Sequence, residues 1–105
     1  MKKFLVLAAL GALSAPALAT SEAAAMDIAK KSGCMACHGV DKKIVGPAWK
    51  DIGKKYAGDP AAEAQLIAKV RKGSKGVWGP IPMPPNATVK DADIKTMVQY
   101  ILTLK

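Results

Sequence analysis

The chain has 105 residues, half of them hydrophobic, and its 16 basic against 8 acidic side chains give a formal net charge of +8. That length holds one small domain with a thin core of its own, and the basic excess favours an acidic partner surface. Nucleic acid is disfavoured as that partner, because no basic-aromatic repeat interrupts a sequence with only 5 aromatic residues.

The chain starts as a secretory leader would. Lys2 and Lys3 precede the apolar run Phe4 to Leu13, Pro16 follows, and Ala17-Leu18-Ala19 offers small residues for cleavage. The apolar run is about half of the ~20 residues a membrane-spanning helix needs. The expectation is an exported chain cut after Ala19, with residues 20–105 forming a single domain that does not span a membrane. Cleavage removes two lysines and no acid, so the remaining polypeptide carries +6.

Good helix formers from Ala23 to Ser32 predict a first helix that turns Ile28 and Ala29 inward and ends at Gly33. Cys37 to Pro47 should be mostly loop. Trp49, Ile52 and Tyr56 fall at helical spacing and predict a short helix closed by Gly58. Asp59-Pro60 supplies an N-cap with proline at the first helical position. Leu66, Ile67 and Val70 give the third helix its apolar side before Gly73 stops it. Gly73 to Pro85 is too rich in glycine and proline for regular structure. Ile94, Met97, Val98, Ile101 and Leu102 then form the apolar stripe of a last helix, capped by Asp91 or Thr88. The reading is all-α, with four helices and one long proline-rich loop.

Within the first loop stands Cys34-Met35-Ala36-Cys37-His38, and His38 is the only histidine of the chain. Two thiols at this spacing can add across the two vinyl groups of one haem, and the adjacent imidazole can reach its iron. C-x-x-C-H is therefore an attachment signature for haem c. A structural disulfide between the two cysteines would close a very small ring and stabilise little. A thioredoxin-like dithiol is the sharper alternative, but it belongs to a βαβ unit, and no convincing strand pattern appears. Zinc lacks a fourth ligand.

With His38 on one axial position, no second histidine is available for the other, and a methionine thioether is the usual partner in cytochromes c. Met1 leaves with the leader, Met26 lies near the new N-terminus, Met35 is inside the attachment motif, and Met97 fits the core register of the last helix. Met83 matches no helical stripe, and the prolines around it (Pro80, Pro82, Pro84, Pro85) stiffen its backbone. The plainer reading of that segment is exposed polyproline. A ligating histidine needs an acceptor for its other ring N–H, which the Gly46-Pro47 turn can offer as a carbonyl. Asn86 can donate an amide hydrogen to the Met83 sulfur or simply make a turn. Trp78 can reach a haem propionate through its indole N–H or simply pack in the core.

Gly33-Cys34-Met35-Ala36-Cys37-His38, Val45-Gly46-Pro47-Ala48 and the block from Gly76 to Asn86 (GVWGPIPMPPN) resemble the bacterial cytochrome c-551/c-552 family over essentially the whole chain after the leader. The resemblance implies a class I cytochrome c fold around one covalent haem c in the periplasm. It implies thioether links at Cys34 and Cys37 and axial ligands His38 and Met83. Around these it places the Pro47 carbonyl on the His38 ring nitrogen, Trp78 on a propionate, and Asn86 orienting the methionine. Lys69 stands where the family often has an arginine near a propionate, Tyr100 where a tryptophan is common, and Lys90 where a capping serine is frequent. The function implied is one-electron transfer, without catalysis, to terminal oxidases or haem nitrite reductases.

Both axial positions filled by protein would keep substrates from the iron, and an exposed haem edge ringed by lysines would dock on acidic patches of a donor or acceptor. Lys30, Lys31, Lys42, Lys43, Lys54, Lys55 and Lys75 are the candidates for that ring. One domain with a small docking face points to a monomer. A haem enzyme or gas sensor with an open iron site is the rival reading, and a haem-free dithiol oxidoreductase is the other.

Overall fold

The computed structural model describes residues 17–104. Among these residues the fold is all-α: α1 (Ala17–Lys31), α2 (Trp49–Lys55), α3 (Ala62–Lys72) and α4 (Asp91–Thr103), with a single 3-10 turn at Cys34–Ala36. The run from Phe4 to Leu13 lies outside the described residues. Among those described, no helix is long and apolar enough to cross a membrane.

α4 is the centre of the frame, and α1, α2 and α3 all pack on it. Its stripe works as the spacing predicts: Ile94, Met97, Val98 and Ile101 are buried, with Tyr100 added beside them. α1 contributes Ala25 and Ala29, both fully buried. Alanine at such positions lets two helix backbones approach closely. On α2, Gly53 does the same, because a Cβ there would run into the carbonyls of Ile101 and Leu104 at the end of α4. Trp49 meets Tyr100 edge-on, with ring centroids 6.1 Å apart and planes at 72°. That T-shaped geometry adds about 0.5–1.5 kcal/mol beyond area burial.

Three helix starts differ from expectation. α1 begins at Ala17 rather than Ala23 and runs through the expected cleavage point. The stretch after Pro16 is mostly alanine, the best helix former, and contains no breaker. α3 begins at Ala62 rather than Pro60. Asp59 uses its side chain one turn too early: its Oδ1 accepts the Ala61 N–H at 2.9 Å, and its carbonyl accepts the Ala62 N–H at 3.1 Å. This is an Asx turn leading into the helix. α4 has Lys90 at its N-cap and no side-chain cap. The two residues expected to cap it are engaged elsewhere: Asp91 pairs with Arg71, and the Thr88 hydroxyl donates to Asn86. Asp91 and Asp93 still lie in the first turn, where negative charge is favourable.

Gly73 to Pro85 is irregular, as its composition dictates, apart from one antiparallel bridge between Ser74 and Met83.

Candidate functional site

The loop after α1 is folded in part by backbone bonds to the two cysteine carbonyls. The Cys34 carbonyl accepts the N–H groups of Cys37 and His38, at 3.2 and 3.1 Å. The Cys37 carbonyl accepts those of Val45 and Gly46, at 3.1 and 2.7 Å. The second pair brings the Gly46-Pro47 turn back beneath His38. There the His38 Nδ1–H donates to the Pro47 carbonyl at 2.7 Å. A carbonyl can only accept, so this bond assigns a proton to Nδ1, and in the neutral ring the lone pair then lies on Nε2. The imidazole is 9 % exposed, which holds it in one orientation.

His38 lines a large, mainly apolar cleft together with Cys34, Cys37, Pro47, Lys69, Trp78 and Met83. The cleft is partly open to solvent. Its floor is the core itself: Trp49, Ile52, Leu66, Val98 and Ile101 all contribute to the wall. An apolar slot of this kind, with two thiols and a free imidazole nitrogen on its wall, fits a flat, largely apolar, iron-containing cofactor. Burial pushes the Cys34 thiol above its ordinary range. A catalytic dithiol needs the reverse shift, toward thiolate, and no βαβ unit is present among the described residues.

Of the methionines, Met83 and Met97 line the cleft, while Met26 and Met35 do not. Met97 is 3 % exposed and belongs to the hydrophobic core. Met83 is held differently, by its backbone. Its N–H donates to the Ser74 carbonyl at 2.7 Å, and its carbonyl accepts the Ser74 N–H at 3.0 Å. Gly73 makes this possible, with φ at 88° and with the Met83 carbonyl 2.9 Å from where a Cβ would stand.

Asn86 stands outside the cleft wall. Its Oδ1 accepts the N–H groups of Thr88 and Val89, each at 3.2 Å, which fixes the amide plane and, among the described residues, leaves its NH2 without a bond to protein. Trp78 is not core: it is 41 % exposed, and the Lys55 ammonium lies over its ring, 5.6 Å from the centroid. Lys69 lines the cleft. Around the opening, Val45, Val77 and Ile81 are exposed large apolar residues, and Lys43 and Lys75 are part of the cleft wall.

Two site residues lie outside the sequence reading. Ser74 carries no chemical signal. Arg71 did carry one, as the only arginine in a chain of lysines. Its guanidinium donates to the carbonyls of Asn86 and Val89 and to the Asp91 carboxylate.

An all-α frame built on one helix, with a thiol pair, an oriented imidazole and a thioether on a single apolar cleft, defines a protein of the small c-type haem class. The comparisons with known proteins agree. The Cytochrome c family model matches residues 11–105. Cytochrome c-551 of Allochromatium vinosum is 53 % identical over 93 residues, covering 89 % of this chain and 99 % of that protein. Cytochrome c-552 of Hydrogenobacter thermophilus is 48 % identical over 105 residues, covering all of both chains. The crystal structure of Nitrosomonas europaea cytochrome c552 superposes with a TM-score of 0.74 at 56 % identity, covering 76 % of this chain and 99 % of that one. The chain belongs to the cytochrome c family, alongside the bacterial c-551 and c-552 proteins, as a small electron carrier that holds haem c covalently.

Proposed function

We propose that this protein is a periplasmic one-electron carrier whose haem is attached at Cys34 and Cys37 and ligated by His38 and Met83. The observation that carries the reading is the His38 to Pro47 hydrogen bond. It leaves Nε2 as the ring nitrogen open to a metal, on a cleft whose wall also carries both thiols and Met83. When bound, haem c supplies the iron couple that accepts and releases the electron.

The chain's own residues do the rest. His38, fixed by Pro47, and Met83, fixed by Ser74, would hold the iron from positions set by the chain's own hydrogen bonds, which would keep reorganisation small. A soft thioether raises the potential. The Asn86 amide, anchored through its oxygen, is free to donate its N–H to the Met83 sulfur. Trp78 and Lys69, on the wall, offer an indole N–H and an ammonium to propionates. The apolar rim of Val45, Val77 and Ile81, with Lys43 and Lys75 beside it, suits brief docking on an acidic patch of a donor, a terminal oxidase or a haem nitrite reductase. Among the remaining candidate lysines, Lys31 already pairs with Asp27 at 3.0 Å, and Lys55 covers Trp78.

Export is part of the same proposal. Lys2, Lys3 and the apolar run have the composition of a cleavable leader, with cleavage after Ala19 leaving residues 20–105 as one monomeric domain. The test is made on protein matured in a periplasm. Reduced protein should not bind carbon monoxide at neutral pH, and Met83→Ala should bind it and show a lower reduction potential. Ready binding by the unaltered protein would favour an open-site enzyme or sensor instead.

A further inference from the structure

Arg71 lies in the last turn of α3 with a side chain 29 % exposed. Its Nη1 donates to the Asn86 carbonyl at 3.1 Å, and its Nη2 reaches both the Val89 carbonyl and the Asp91 carboxylate. One planar group thus ties α3 to the segment that leaves Met83 and to the first turn of α4. The same segment is fixed a second time, by the Asn86 N–H on the Val70 carbonyl at 2.8 Å. With Ser74 holding Met83 at the other end, the proline-rich loop is closed at both its base and its exit.

We propose that Arg71 is a positioning residue for the Met83 thioether: it holds the loop exit down and so sets how often the sulfur leaves its place. Arg71 is absent from the cleft wall, so the effect acts at a distance from the sulfur, through Asn86, Val89 and Asp91. A lysine there would keep the charge but has no planar fork to serve two carbonyls and a carboxylate at once. Charge-assisted bonds of this kind are among the stronger ones in proteins, and their loss should fall on local opening of the loop more than on the α1–α4 packing that holds the core.

The inference rests on Met83 being the sixth ligand, and the experiment separates the two. The oxidised haem protein is mixed with imidazole, which enters only when the native sixth ligand departs, and global unfolding is followed by helical circular dichroism in urea. Arg71→Leu should admit imidazole about tenfold faster. Arg71→Lys should fall between, and Lys72→Leu, which removes a neighbouring exposed charge, should match the unaltered protein. A Val98→Ala core variant supplies the reference for global destabilisation. An unchanged rate in Arg71→Leu overturns the proposal, as does a rate no faster than that of Val98→Ala at equal global stability. If Arg71→Leu fails to accumulate, Arg71→Lys carries the same comparison. Failure of the methionine assignment shows separately, as a Met83→Ala protein whose imidazole rate and spectrum match those of the unaltered one.

Discussion

Gly46 lies flat against the imidazole of His38, so close that a Cβ would stand 2.7 Å from Cε1 and 3.1 Å from Nδ1. The glycine and the Pro47 carbonyl act on the same ring, one on its face and the other on its edge. Together they leave His38 a single orientation. Gly46→Ala should therefore push the ring off its acceptor and cost about 1–3 kcal/mol, as overpacking does. Urea unfolding of the haem protein checks the stability, and the His38 ring proton shifts check the tilt. A fully stable variant with unshifted ring resonances would show that the contact is slack.

Gly73 bears on the other ligand. Its φ of 88° is unfavourable for any side chain, and a Cβ would meet the Met83 carbonyl and the Pro85 ring. Gly73→Ala should cost about 1–3 kcal/mol in backbone strain. It should also loosen the Ser74 to Met83 bridge, seen as faster hydrogen exchange at the Met83 amide. Exchange as slow as in the unaltered protein would separate Gly73 from the placing of Met83.

Much of this frame is legible in the residues. The stripe from Ile94 to Ile101 follows from helical spacing, because burial on one face is a period that sequence records directly. The cysteine pair and His38 are legible because covalent attachment demands neighbours in the chain. Capping is less so. Asp59 and Asp91 have the right chemistry for helix starts, yet one makes a turn and the other serves Arg71, a choice decided by tertiary contacts. The Arg71 clamp joins α3 to carbonyls far along the chain, and no local pattern encodes which carbonyls stand open. Close approach at Gly46 is equally silent, since it depends on a turn that the Cys37 carbonyl brings back against the ring.

Tyr100 gives a pH prediction. Burial first, and then the nearby Glu22 carboxylate, push its phenol above the ordinary value of 10.0. A group whose neutral form is favoured on folding stabilises fully below its unfolded pKa and loses that contribution as pH rises through the folded one. The haem protein should thus lose stability above about pH 10, and Tyr100→Phe should lose less over the same interval. Parallel urea midpoints for the two proteins across that range would remove Tyr100 as a cause.

The rim lysines give a kinetic prediction. Lys43→Glu with Lys75→Glu should slow electron transfer to an acidic partner several-fold at low ionic strength and little at high, because exposed charges act through association and are screened by salt. Stopped-flow rates across a salt series decide it. Equal slowing at both ends would mean that the cleft, and not its field, had changed.

The most direct measurement is the weak far-red absorption band of the oxidised haem protein, which a sulfur-to-iron bond produces. Both Met83 and Met97 line the cleft, so the band is recorded for the unaltered chain, for Met83→Ala and for Met97→Leu. The band should be present in the first, absent from the second and retained in the third. A band that persists in Met83→Ala, or is missing from the unaltered protein, contradicts ligation by Met83.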